Sequence, residues 1–386
     1  MTAPIESYRV EVPETVLDEL RERLAHTRWP DQLPGTGWGP GAELDAVRRL
    51  CTYWAHEFDW RAVEERLNGF AQFVTEAQDE RLHFIHVCSP EADALPLVLT
   101  HGWPGSVIEF LDVIGPLTDP VAHGGDAADA FHLVVPSIPG YGFSGPTRHA
   151  GVDAGKVSAA IAELMARLGF ERYGAQGGDW GSLISRRLGV IDAGHVVGVH
   201  VNMFIVGPPK NGNAMESVTK AELTAMAEAA EMTKTGLGYM QLQSTKPQTL
   251  AYGLTDSPAG LAAWIFDKLH AWTDHAADED SALSPDQMLA NITTYWVTGT
   301  ANSAARLYYE SARARTAGQD MSVDRVEVPT GYAAYPGELY RPPRRWLEAA
   351  CNLVHYVEMP RGGHFAAWEQ PHLFVDDVRT FFRLVR

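Results

Sequence analysis

Apolar residues recur along this chain with two different periods, and the change from one to the other divides the sequence. After Pro13, residues Val16, Leu17, Leu20 and Leu24 share one face at helical spacing, and Pro30 ends the run. Leu44, Val47, Cys51 and Trp54 form a second stripe, and EFDWRAVEERLNGF continues in the same style. Residues 1–80 are therefore expected to form a helical N-terminal meander without chemistry of its own. From residue 81 short apolar runs alternate with helical stretches, which is the pattern of a mostly parallel sheet covered by helices. RLHFIHV is one strand, and LPLVLTHGWPG (95–105) and HLVVPSIPGYGFSG (132–145) are two more, each ending in a Gly/Pro-rich loop. Val157, Ile161, Leu164 and Leu168 mark the next helix, ERYGAQGG leads into a turn, and VVGVHVNM is a further strand. Residues 204–322 break the rhythm, being rich in Ala, Met, Thr and aromatic residues without an obvious buried strand. The strand pattern resumes with RVEVPTGYAA and NLVHYVEMP, and HLFVDDVRTFFRLV closes the chain as an amphipathic helix. The expectation is an α/β core, 81–203 and 323–386, split around a helical cap at 204–322.

Composition narrows the partners more than the fold. The 386 residues are 45% apolar and 21% charged, an ordinary globular balance with material for a large core. A formal net charge of −18 disfavours nucleic acid and anionic membrane surfaces, which attract basic patches, and favours a neutral or cationic small molecule. Cys51, Cys88 and Cys351 lie far apart, with neither metal-ligand nor paired-thiol spacing. The first residues lack a basic start followed by an apolar stretch, and no run approaches the ~20 apolar residues of a membrane span. A cytoplasmic, soluble protein without metal or organic cofactor is expected, and a homodimer is compatible with this reading.

The chemistry centres on GAQGGDWGSL, where a strand turns into a helix through Gly177-Gly178-Asp179-Trp180-Gly181. Such an elbow lifts its apex residue above the sheet, and small neighbours let the backbone turn without a Cβ clash. The apex here is an aspartate, in a place where a nucleophilic serine is the familiar occupant. A serine needs a base before it attacks an acyl carbon; a carboxylate needs none and displaces a leaving group at saturated carbon directly. The helix N-terminus favours its negative charge. The resulting ester must then be hydrolysed, which calls for a general base and for N–H groups to hold the oxyanion. His364, in MPRGGHFAAWEQP after the last strand, is the candidate base. Glu338, in AAYPGELYRPP, is placed to orient it, with Glu358 and Asp324 as weaker substitutes. HGWPG at 101–105 follows a buried strand and should set the Trp103 N–H beside that of Trp180 as an oxyanion hole. Trp103–Pro104 is a plausible cis bond.

Taken together, these residues resemble the α/β-hydrolase fold and, within it, epoxide hydrolases of the microsomal type and their bacterial relatives. RVEVPETVLDELRERLAHTRWPD, YWAHEFDW, LTHGWPGS, PSIPGYGFSGP, QGGDWGS, STKPQTLAYGLTDSPAGLAAW, YWVTGT, PTGYAAYPGELY and RGGHFAAWEQP all look like that family's blocks, over nearly the whole chain. The resemblance implies hydrolysis of an epoxide to a vicinal diol, with Asp179 as nucleophile, His364 as base and Glu338 as acid. It further implies two tyrosines that bind the substrate by donating to the epoxide oxygen, at Tyr239 and Tyr308, with the adjacent Tyr309 a rival that helix phase does not exclude. Trp103 and Trp180 complete the substrate-binding set. Two departures stand out: Ala71 replaces a proline common in the family, and the membrane anchor of the animal members has no counterpart.

Haloalkane dehalogenases use the same aspartate displacement, but a halide calls for indole or amide N–H donors, whereas an alkoxide calls for phenols, which favours the epoxide. A serine esterase fits less well, because Ser182 lies past the elbow apex and Ser144 sits in another loop. A catalytically silent binding protein would be expected to have lost part of this set. Trp264, Trp272, Trp296 and Phe266 either line an apolar pocket or pack the inserted helices.

Overall fold

The computed structural model describes residues 3–209, 213–216, 218–275, 283–318 and 325–386. Nine strands make one sheet: β1 (Glu6–Tyr8), β2 (Gln72–Ala77), β3 (Glu80–Val87), β4 (Leu95–Thr100), β5 (Phe131–Pro136), β6 (Tyr173–Gly177), β7 (Val196–Val201), β8 (Val326–Ala334) and β9 (Cys351–Glu358). Their spatial order is β1-β2-β3-β5-β4-β6-β7-β8-β9. The first four in that order pair antiparallel, and the run from β5 to β9 is parallel. Leu97, Val98 and Leu99 of β4 are fully buried, as befits a central parallel strand covered on both faces.

Two strands, β1 and β2, interrupt the N-terminal stretch expected to be wholly helical. Gln78 and Asp79 join β2 to β3 with φ of 51° and 63°, a two-residue turn whose twist suits an antiparallel hairpin. The pairing partner of β2 is thus only two residues away, but the short alternation of QFVTEA is masked by the helical run before it. Ala71 lies exposed just ahead of β2, and its carbonyl accepts the His86 N–H at 3.0 Å.

Helices Lys220–Gly236, Gly238–Thr245, Pro247–Asp256, Pro258–Trp272, Pro285–Thr298 and Ala301–Thr316 fall between β7 and β8, with no strand among the described residues there. Local signals fix their ends. Thr219 with Glu222, and Ser284 with Gln287, close reciprocal caps, while Gly299 ends its helix in the left-handed conformation. Below them, β4 and β6 are neighbours although β5 separates them in sequence, so the chain order reverses at this point. The carboxyl ends of strands flanking such a reversal leave a crevice where α/β sheets bind ligands.

Candidate active site

Asp179 opens the helix Asp179–Ile191 directly above β6, with φ of +49°. A non-glycine residue in this left-handed region is strained, and the surroundings must hold it there. Close backbone packing does so: a Cβ on Gly181 would stand 1.8 Å from the Thr100 carbonyl oxygen, and one on Gly102 would stand 2.3 Å from the Asp179 Cβ. The loop after β4 thereby lies against the elbow. The Trp103 N–H donates to Asp179 Oδ1 at 2.8 Å, and the Trp180 N–H donates to the same carboxylate. The Trp103–Pro104 bond is cis. His101 braces the loop from below, accepting the Ile138 N–H on Nε2 at 3.1 Å and meeting the Gly102 carbonyl through Nδ1 at 2.9 Å. Burial lowers that imidazole to about 4, so it stays neutral.

On the opposite side of the carboxylate stands His364, beyond the end of β9. Its Nε2 lies 3.6 Å from Asp179 Oδ2, and its Nδ1 donates to Glu338 Oε1 at 2.8 Å. Glu338 follows β8 and also accepts the Leu339 N–H at 2.7 Å. The turns that carry the two residues meet in a bridge between Gly337 and Gly363. Glu358, by contrast, is exposed at the end of β9, and Asp324 lies outside the described residues. Burial opposes the charged imidazolium, but the charge and hydrogen bond of Glu338, with the charges of Asp179 and Glu109, outweigh it and lift His364 to about 9. Burial raises the Asp179 carboxyl above its ordinary value, against the pull of His364 and the two N–H donors.

The histidine turn is fastened to the inserted helices. The His364 N–H donates to the Trp272 carbonyl at 3.0 Å, and the Gly362 N–H donates to Asp274 Oδ2 at 2.8 Å. Glu369 gathers three N–H donors, from Asp274 at 2.8 Å and from Gly363 and Phe365 at 2.9 Å each. The Trp272 ring also packs on the imidazole, with centroids 5.1 Å apart.

Aromatic rings roof the carboxylate. Trp103 stacks on Tyr239 at 4.9 Å, while Trp180 meets Tyr308 edge-on at 4.8 Å and lends it a side-chain hydrogen bond. The Tyr239 and Tyr308 hydroxyls share a hydrogen bond. Burial, followed by the neighbouring ionisable groups, lifts both phenols well above the ordinary tyrosine value, so they keep their protons. Tyr309 turns the other way, its hydroxyl accepting from Arg313 at 3.3 Å. Of the adjacent pair, Tyr308 is the one whose ring lies against Trp103, Trp180 and Tyr239.

Residues 5–110 match the family model described as epoxide hydrolase N terminus, and residues 96–216 match that of the alpha/beta hydrolase fold. A putative epoxide hydrolase of Stigmatella aurantiaca is 44% identical, over 99% of this chain and 86% of the relative. Epoxide hydrolase 1 of Sus scrofa is 35% identical, over 99% of this chain and 89% of its own. The solved Aspergillus niger epoxide hydrolase superposes with a TM-score of 0.89 at 32% identity, covering 99% of this chain and 97% of that one. The chain belongs to the epoxide hydrolases.

An epoxide hydrolase acts on a small-molecule epoxide, and the serines of this one are occupied elsewhere. Ser182 Oγ donates to the Met203 carbonyl, and Ser144 Oγ donates to the Ser137 carbonyl at 2.6 Å. Among the described residues no helix is long and apolar enough to cross a membrane. Of the aromatic residues considered for an apolar pocket, Trp272 reaches the site. Phe266 packs on Trp38 at 5.2 Å, Trp296 lies under Arg23, and Trp264 donates to Gln243 at 3.2 Å. Glu369 and Asp274, which brace the histidine turn, and Glu109, which lines the space beside Asp179, are not singled out by any motif of the sequence. For Glu109 a signal existed: it is one of only two carboxylates, with Asp112, in the otherwise apolar run VIEFLDVIG.

Proposed function

We propose that this epoxide hydrolase works through a covalent ester on Asp179. Asp179 Oδ2 attacks one epoxide carbon, the ring C–O bond breaks, and the departing oxygen takes a proton from the Tyr239 and Tyr308 hydroxyl pair. Oδ1, held by the Trp103 N–H, becomes the ester carbonyl oxygen. A water then gives a proton to His364 Nε2 as its oxygen bonds to Asp179 Cγ, and the oxyanion rests on the Trp103 and Trp180 N–H groups. Collapse of this intermediate returns the His364 proton to the alkyl oxygen and releases the diol, and the water's second proton leaves the re-formed Asp179 carboxyl to replace the one the tyrosine pair gave up, so that carboxylate and phenols are both restored. Glu338 holds the imidazole in the tautomer that leaves Nε2 free, and stabilises it when charged.

One observation carries the reading: the elbow apex is a carboxylate set between an N–H pair on one side and the His364–Glu338 pair on the other. The aromatic roof favours an apolar epoxide such as styrene oxide, which serves as the test. Wild type should form phenylethanediol and release no halide from 1-chlorobutane. Halide release without diol would move the chain to the dehalogenase reading.

The phenol pair yields a further expectation. Tyr308→Phe and Tyr239→Phe should each slow ester formation by roughly 10- to 1,000-fold, as loss of one preorganised donor to a developing oxyanion does, and leave ester hydrolysis far less affected. Stopped-flow fluorescence of the site tryptophans separates the two steps.

The pH dependence follows from the charges around His364. With Asp179 ionised the imidazole sits at about 9 and is charged near neutral pH. Esterification removes the Asp179 charge, so the His364 value falls and the neutral base becomes available when water must be activated. The hydrolytic step should therefore gain about tenfold per pH unit below that lowered value and level off above it. Burst measurements at stepped pH should show more standing ester as the pH is lowered.

A further inference from the structure

We propose that Glu109 is a further catalytic residue, which grips the hydrolytic water on the side away from His364 and aims it at the ester carbon of Asp179. This role rests on the ester reading above and adds a second ligand for the reacting water. A small cavity of about 20 Å³ adjoins the elbow, lined among others by Gly102, Glu109, Asp179, Asn202 and His364. A single water needs roughly 10–15 Å³ and two to four polar partners, so this space suits one water and offers it suitable groups. The nucleophile and the base therefore share a water-sized chamber with a second carboxyl group.

Local structure is arranged to bring that group in. Glu109 belongs to the short turn Val107–Phe110, which Ser106 caps through its Oγ to the Ile108 N–H at 3.3 Å. The Ser106 N–H donates to the Glu109 carboxylate. The same loop is tied from the inserted helices. Asn291 Nδ2 donates to the Pro104 carbonyl at 2.7 Å and Asn291 Oδ1 accepts from Ser106 Oγ at 2.7 Å, while the Tyr295 hydroxyl donates to the Gly105 carbonyl at 2.8 Å. Gly105 supplies the room: a Cβ there would fall 1.3 Å from Glu109 Oε1. The carboxyl group thus fills the volume that any side chain at position 105 would take, beside the loop that carries the Trp103 N–H.

The charges facing Glu109 are those of His364 and Asp179, and burial, the largest influence, pushes its carboxyl up to about 8. Near neutral pH it is thus a neutral acid that keeps a carbonyl acceptor. One O–H of the water points to His364 Nε2, the other to that acceptor, and the lone pair is left facing Asp179 Cγ. No proton moves to or from Glu109 in the step.

The test is step-resolved single turnover of styrene oxide by the intact enzyme, with the ester followed by rapid quench and intact-protein mass. Glu109→Leu should slow ester decay on the order of 100-fold, the scale of a misplaced reactant, while ester formation changes far less. Gly105→Ala, which evicts the carboxyl without deleting it, should show the same imbalance. Glu109→Gln keeps an uncharged acceptor and should recover at least tenfold of the decay rate lost in Glu109→Leu. Ester decay in Glu109→Leu at the wild-type rate, or formation and decay falling equally in the Leu and Gln variants, would overturn the role of Glu109 alone. Absence of any ester in wild type would remove the covalent reading of Asp179, and this one with it.

Discussion

Asp179→Ala should leave no measurable diol formation, a loss on the order of 10⁴-fold or more, because both steps run through that side chain. The variant should fold, since the shorter side chain fits the same elbow and the backbone contacts of Gly177 and Gly181 are untouched. A labelling experiment separates a covalent role from one in which the carboxylate only directs solvent. In one turnover of wild type in heavy-oxygen water, the diol should carry no label and the Asp179 carboxylate should carry it, because the oxygen gained by the diol is the former Oδ2. Label in the diol with an unlabelled carboxylate would mean that water attacks the epoxide directly.

His364→Gln should separate the two halves of the reaction. Asp179 can still attack without a base, so the ester forms, but the water that must break it is no longer activated. Steady-state turnover should fall by about 10²- to 10⁴-fold, the usual worth of a general base. Intact-protein mass spectrometry should show one equivalent of enzyme heavier by the full mass of the epoxide. Unmodified protein under saturating substrate would contradict this order of events. The variant removes the charge that pairs with Asp179 across 3.6 Å and with Glu338 across 2.8 Å, so a loss of thermal stability should accompany it.

Much of this arrangement could be read from the chain before its structure. The strands that carry chemistry are short apolar runs with a Gly/Pro punctuation at the carboxyl end. That signal is strong because parallel strands buried on both faces tolerate few polar residues. Asp179, His364 and Glu338 each follow such a strand, so their convergence was legible as an order of motifs. Features that depend on packing between distant segments were not. Helix periodicity sets Tyr308 and Tyr309 about 100° apart but does not say which of them faces the site; that is decided by Trp180 and Trp103, which approach the face carrying Tyr308. Glu109 and Gly105 acquire a relation only once a tight turn folds one back over the other. In the N-terminal stretch, β2 is recognisable through its hairpin with β3, and β1 through its register against β2.

The ties between Trp272, Asp274 and the turn that presents His364 have a mechanical consequence. Swinging the carboxyl end of the helix Pro258–Trp272 away from the sheet would tear off the carbonyl that anchors the His364 main chain, together with the Asp274 contacts to Gly362 and Glu369. The helices overhead and the base below thus form an interlock. Admission of substrate by wholesale lifting at that hinge would unseat the proton acceptor, so traffic into the chamber must pass elsewhere along its roof while the acceptor stays in register.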